Sequence, residues 1–268
     1  MAARLSGIPF VKASACGNDF LIIDGMHAPA DMAAFTRRIC ERHDGVGADG
    51  VEWLFPDPNR EVHTRARLFN ADGSEAEISG NGTRCVAAYL AAEQGLDDVL
   101  VRTGAGAKRC RLLNRNGVRF DFETDMGEPQ VGNDFSIKLA FAEVHGIPVS
   151  MGNPHFVVFV EEFTPGWQAE AAEMARHHDF KYGINIELVK HRSKSVIEAK
   201  FFERGVGETR SSGTGSCASA VASIAAKKAE SPVEVIAPGG TQTVRWEGNV
   251  FLRGPAQLIG RGEFFGLT

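Results

Sequence analysis

Nothing in this chain of 268 residues favours a membrane or a polyanion as its partner. No apolar run approaches the ~20 residues of a membrane-spanning helix. Net charge is −5, so neither sign dominates, and there is no electrostatic reason to expect nucleic acid or an anionic membrane. The N-terminus carries Arg4 and Lys12 with only short apolar stretches between them, and lacks the h-region of a signal peptide. Cysteine is sparse: Cys16, Cys40, Cys85, Cys110 and Cys217 are odd in number and widely spaced, which excludes a disulfide framework and makes a reducing cytoplasm the expected compartment. Cys40 and His43 stand at a possible metal-ligand spacing, but no second Cys/His pair accompanies them, so an ordinary helix end is expected and no metal. Low-complexity segments and long linkers are also missing.

What is present is a motif written twice. Ala66-Arg67-Leu68-Phe69-Asn70, Glu75 and Ser79-Gly80-Asn81-Gly82-Thr83 match Ala199-Lys200-Phe201-Phe202-Glu203, Glu208 and Ser212-Gly213-Thr214-Gly215-Ser216, each pair 133 positions apart. Gly17-Asn18-Asp19-Phe20 has a second echo in Gly152-Asn153-Pro154-His155. Two homologous halves are expected, residues 1–128 and 129–268, with the last few residues free to return to the first half. Gly127, Pro129 and Gly132 mark the change of half. A cleft between such halves would offer a similar group to each face of one small molecule, a geometry suited to inverting a stereocentre. With 43% hydrophobic residues the chain has material for two cores.

Thirty glycines fit many short strands joined by tight turns. Strands are predicted at Leu21–Ile23, Val51–Phe55, Val118–Phe122, Phe156–Val160, Ile184–Val189, Val196–Phe202, Val233–Ile236 and Val250–Arg253, several alternating apolar and polar residues. Asp31 caps a helix through Ile39, and Thr164-Pro165 opens one through about His177. Cys85–Ala92 and Cys217–Lys228, rich in small residues and poor in charge, read as helices buried within the strands of their own half.

Ser-Gly-Asn-Gly and Ser-Gly-Thr-Gly each stand just before a helix, where unpaired N–H groups and the helix dipole favour an anion. One such copy alone reads as a capping turn; two in register, each behind the same strand and acidic residue, point to function. Neither has the Lys-Ser/Thr ending of a Walker loop, nor the βαβ context of a dinucleotide site. A carboxylate held between two helix starts uses both. Asn18, Asn70, Asn153 and Asn185 lie at strand ends or turns; together they could serve a zwitterionic ligand, although one such asparagine is ordinarily there for its backbone. Glu203 and Arg204 add a charge of each sign, either for an ammonium and a second carboxylate or as a surface ion pair. His155, in a rigid Gly-Asn-Pro-His turn, is a candidate polarising group.

These motifs resemble the diaminopimelate epimerase family almost end to end. The likeness takes in Gly17-Asn18-Asp19-Phe20, Gly45-Val46-Gly47-Ala48-Asp49-Gly50, Phe69–Glu75, Gly80–Cys85, Met126-Gly127-Glu128-Pro129, Met151–His155, Glu203–Thr209, Gly213-Thr214-Gly215 and Pro238-Gly239-Gly240. It implies an α+β fold of two pseudosymmetric halves, each a curled, mostly antiparallel sheet around a central helix. It also implies a pyridoxal-independent isomerase that inverts an amino-acid α-carbon, with LL-diaminopimelate as the best substrate guess and no metal or organic cofactor. By resemblance the reacting carboxylate would sit on the backbone of Gly80, Asn81, Gly213 and Thr214. Asn18, Asn70, Asn153, Asn185, Glu203 and Arg204 would hold the rest, with His155 and Glu203 beside the catalytic pair. Gly50 stands where some members carry a ligand side chain. Homodimerisation is left open.

In that family the residue before each Gly-x-Gly is cysteine, one thiolate taking the α-proton and the other thiol returning one. Here both positions are serine, Ser79 and Ser212. A thiol titrates near ~8.5 and a hydroxyl far closer to the ~15.7 of water, a gap worth about 10 kcal/mol against forming the base. An adjacent base can activate a serine; His155 or Glu203 could do so at Ser212, and no partner for Ser79 is evident in the sequence. Three readings stay open: an isomerase with altered chemistry or another base (Cys16 as a displaced thiol, or simply a packed small residue), a binding protein without turnover, or an engineered variant that traps ligand. Matched replacement at two distant sites with the ligand set intact argues against random decay.

Overall fold

In strand Val196–Glu203 the residues Ile197, Ala199 and Phe201 are buried while their neighbours are partly exposed, the period-2 pattern of a sheet with one packed face. Repeated along the chain, that pattern builds two compact units. The computed structural model describes residues 7–140 and 142–266; Arg4 lies outside them. One unit comprises residues up to Thr124 together with the segment from Gly254 onward, and the other runs from Asp125 to Arg253. The chain therefore leaves the first unit once and returns to it at the end.

The first unit contains β1 (Ile8–Ala15), β2 (Asn18–Asp24), α1 (Met32–Cys40), β3 (Gly50–Phe55), β4 (Thr64–Asn70), β5 (Glu75–Ala76), α2 (Gly80–Gln94), β6 (Asp98–Thr103), β7 (Gly106–Asn116) and most of β8 (Arg119–Gly127). The second contains β9 (Gln130–Val131), β10 (Phe135–Lys138), β11 (Glu143–Ser150), β12 (Pro154–Phe159), α3 (Trp167–Ala175), β13 (Asn185–His191), β14 (Val196–Glu203) and β15 (Gly207–Thr209). It continues with α4 (Gly213–Ala225), β16 (Val233–Ala237), β17 (Gly240–Glu247) and the start of β18 (Asn249–Phe264).

The strand pairing of the second unit repeats that of the first. β2–β3 and β4–β6 are parallel pairs, and so are β12–β13 and β14–β16; β1–β2, β3–β4, β6–β7 and β7–β8 are antiparallel, as are β11–β12, β13–β14, β16–β17 and β17–β18. The duplication read from the motifs is thus a duplication of topology, and the fold is the expected α+β pair. β1 and β2 join through Cys16 and Gly17, both at positive φ (48° and 85°), the conformation a two-residue hairpin loop requires.

α2 packs against β1, β2, β4, β6 and β7, and α4 against β11, β12, β13, β14, β16 and β17. Each is buried on nearly every side, which is why neither shows an apolar stripe and both are built of small residues: Val86, Ala87, Ala88 and Ala91 in one, Ala218, Ala220, Val221 and Ala222 in the other. Both begin earlier than the apolar run suggested, at Gly80 and Gly213, because Ser79 and Ser212 cap them.

Two further helix boundaries differ from expectation. α3 opens at Trp167, not at Pro165: Gly166 takes φ 81°, and the Thr164 carbonyl closes a turn by accepting from the Trp167 N–H. α4 ends at Ala225, short of Lys228, because Lys227 turns left-handed (φ 59°) and the N–H groups of Lys228 and Ala229 fold back onto the Ser223 carbonyl.

Candidate active site

At the start of α2, Ser79 has extended backbone and its Oγ accepts from the Gly82 N–H at 3.1 Å. At the start of α4, Ser212 does the same with Gly215 at 3.1 Å. Both serines are therefore N-caps, each with one lone pair occupied by the helix and its proton directed elsewhere. Behind them the first-turn N–H groups, those of Gly80 and Asn81 or of Gly213 and Thr214, have no intrahelical acceptor and present a positive helix end.

The asparagines of the second echo meet the same two helix starts. Asn81 donates to Asn18 Oδ1 at 2.7 Å, and Asn18 donates in turn to Asp49 Oδ2 at 3.1 Å. In the second unit Asn153 donates to Thr214 Oγ1 at 3.3 Å. Asn18 with Asn81 and Asn153 with Thr214 are repeat partners, so one contact is built twice. Asn70 stands apart: its side chain donates to Ser74 Oγ within its own turn at 3.0 Å. Asn185 donates to the Pro154 carbonyl and accepts from the Arg204 N–H, joining the ends of β12, β13 and β14. Glu203 accepts from Thr209 Oγ1 at 2.7 Å, and the Arg204 guanidinium reaches the Tyr182 carbonyl, so these two charges do not form a surface ion pair with each other. Desolvation pushes the Glu203 carboxyl up, with the Thr209 hydroxyl opposing.

His155 is 1% exposed, and both its ring nitrogens are engaged: Nδ1 lies 2.7 Å from Glu187 Oε1 and Nε2 3.0 Å from Asn153 Oδ1. It therefore does not hydrogen-bond Ser212. Since Asn153 uses its amide N–H on Thr214, its Oδ1 accepts from His155 Nε2; one further proton is then shared between Nδ1 and the glutamate. Burial pushes the Glu187 carboxyl up, and the imidazole opposes it.

Two glutamates were missed by the sequence reading. Glu187 in β13 and Glu52 in β3 occupy equivalent places, 135 positions apart like the Asn18–Asn153 echo, and both are almost wholly buried. A Cβ built on Gly82 would lie 2.1 Å from Glu52 Oε1 and 3.2 Å from the Ser79 Cβ; one built on Gly215 would lie 2.9 Å from both Glu187 Oε1 and the Ser212 Cβ. The second glycine of each Gly-x-Gly thus makes room for a carboxyl behind the capping serine. Glu187 has His155 as partner, whereas burial alone acts on Glu52 and pushes it up to about 8. The available signal was a single acid inside an apolar strand, Val51-Glu52-Trp53-Leu54-Phe55 and Ile186-Glu187-Leu188-Val189.

Gly50, the repeat partner of Asn185, has no room for a side chain, since a Cβ there would lie 2.6 Å from the Phe69 carbonyl oxygen. Cys16 receives the Arg84 guanidinium at 3.8 Å, yet burial outweighs that cation and raises its thiol. A depression of about 250 Å³ opens beside Cys16, bounded by Ser14, Arg119 and Gln257, and includes neither Ser79 nor Ser212. No described helix is long and apolar enough to cross a membrane.

The sequence profile of diaminopimelate epimerase matches residues 10–132 and 147–259. The diaminopimelate epimerase of Moorella thermoacetica is 34% identical over 95% of this chain and 98% of its own length. That of Halothermothrix orenii is 35% identical over 96% and 97%. Among solved structures, a hydroxyproline epimerase from Agrobacterium vitis superposes with a TM-score of 0.72 at 15% identity, covering 96% of this chain and 90% of its own. A PhzF-family phenazine biosynthesis protein from Bacillus anthracis gives 0.72 at 17%, covering 96% and 99%. The two structures share the fold; the sequence likeness runs through both capped helix starts and both halves, and so the chain belongs to the diaminopimelate epimerase family, an isomerase of the epimerase and racemase type.

Proposed function

We propose that the protein inverts an α-carbon of diaminopimelate, converting the LL form to the meso form as a step of lysine biosynthesis. The observation that carries this reading is the doubled constellation: a serine-capped helix start, an amide or hydroxyl contact on its second residue, and a buried glutamate behind it. The substrate's reacting carboxylate would lie on the N–H groups of Gly80, Asn81, Gly213 and Thr214, where the helix dipoles also stabilise the charge that develops as the α-proton leaves. Asn18, Asn70, Asn153 and Asn185 would hold the amino and distal groups together with Glu203 and Arg204. Ser79 and Ser212 would meet the two faces of the α-carbon. A bare hydroxyl is too weak a base, so each serine needs a group to take its proton; Glu203 and the His155–Glu187 pair are the candidates on the Ser212 side.

Proton NMR of LL-diaminopimelate in D2O tests this. The protein is expected to erase the α-proton signal and to produce the meso isomer. Exchange only in a Ser79→Cys/Ser212→Cys variant would mean a preserved pocket without its base. Silence from both would remove diaminopimelate as the substrate.

A further inference from the structure

We propose that Glu52 is the proton acceptor behind Ser79, the group that lets this hydroxyl act as base and acid for the first unit. The inference rests on the function proposed above and supplies the partner for Ser79 that the sequence does not reveal. Three observations support it. Glu52 is 3% exposed and makes no side-chain hydrogen bond among the described residues, yet its oxygens, unlike Glu187 Oε2, are not enclosed without a partner. A Cβ built on Gly82 would lie 2.1 Å from Glu52 Oε1 and 3.2 Å from the Cβ of Ser79, so both groups border the same glycine. Glu187, the repeat partner of Glu52, holds the same position at Ser212.

The surroundings of Glu52 are apolar. Ile22 of β2 and Leu68 of β4 flank it in register within the core around α2, and Cys85 of that helix, itself raised by burial, is raised further by the Glu52 charge. With no cation to hold it ionised, its carboxyl stays poised near working pH, as a group that both takes and returns a proton should be. The Ser79 oxygen has three roles to fill and the atoms for each. One lone pair accepts from Gly82, the second takes the α-proton, and the hydroxyl proton passes to Glu52. The Cα–H bond breaks with its electron pair left on carbon, a new O–H bond forms at Ser79, and the carboxylate becomes a carboxylic acid. After abstraction Glu52 releases its proton to solvent before the next turnover, and in the opposite direction it returns a proton to Ser79 as the hydroxyl protonates the carbanion.

The test compares α-proton exchange and epimerisation of LL-diaminopimelate by the native protein and by Glu52→Gln, Glu52→Asp and Ser79→Ala. Glu52→Gln keeps the size of the side chain and removes only its proton chemistry. It is expected to lower kcat by at least about 100-fold with KM nearly unchanged, and to abolish a rise in kcat/KM through pH about 8. Glu52→Asp should restore part of the rate together with that limb. Glu52→Gln combined with Ser79→Ala should be no worse than either alone, because the two act as one unit. A Glu52→Gln protein with native rate, or one that is slower but keeps the alkaline limb, overturns the role of Glu52 and leaves the proposed function standing. A native protein that exchanges no α-proton overturns both.

Discussion

Glu52 enters β3 between Val51 and Trp53, and burial leaves it a poorer acid than a glutamate in water, at about 8 against 4.5. A carboxyl whose folded value is raised binds its proton more tightly in the native state. Its contribution to stability is complete below the unfolded value and is lost as pH rises toward the folded one. Between pH 4.5 and about 8 the unfolded chain has released this proton and the native state has not, so stability falls with pH by up to about 1.4 kcal/mol per unit. Glutamine cannot ionise. Urea unfolding should therefore show Glu52→Gln gaining on the native protein steadily across that window, with the difference constant on either side of it. An equal offset at every pH would mean that Glu52 holds its proton no more tightly in the folded state than in the unfolded chain. The residue was legible only as an anomaly, one acid in an apolar strand, because nothing local says whether such an acid points to core or to solvent. Asn70, a ligand candidate by its place in the repeated motif, gives its amide to Ser74.

At the scale of the element, the serines cap their helices whatever else they do. Ser212→Ala should cost about 1 kcal/mol of stability, within the 0.5–2 kcal/mol range of such caps, and Ser212→Thr should keep most of it. Matched denaturation curves check both; an alanine variant as stable as the parent would show that the Gly215 hydrogen bond contributes nothing. The helices were visible in sequence as small-residue runs, but their starts were placed several residues late, since a capping glycine turn has no apolar period to count. β7 was not recognised because most of its residues face outward. β18 was recognised only at Val250–Arg253, since its later residues include the exposed Ile259 and Gly260. Hydrophobic alternation reports a strand only where one face is buried.

At the scale of the whole molecule, the chain closes its first unit last. Residues 257–264 of β18 pair with β1 from Ile8 to Ser14, and without them β1 would expose an unpaired edge. A chain ending after Arg253 should lose hydrogen-exchange protection along β1 while β12, β13 and β14 keep theirs. Retained protection at β1 would mean that β2 alone holds it. The order of strands around α2 and around α4 follows one plan, and the family likeness spans both units.

By itself the sequence determined the duplication, the two glycine-rich helix starts and the family, because each is written in residues that lie close together along the chain. Only the tertiary structure decided which groups stand behind the serines. Glu52 and Ser79, like Glu187 and Ser212, are some two dozen residues apart on different elements. They meet because a parallel strand pair delivers each glutamate to a glycine that leaves it room.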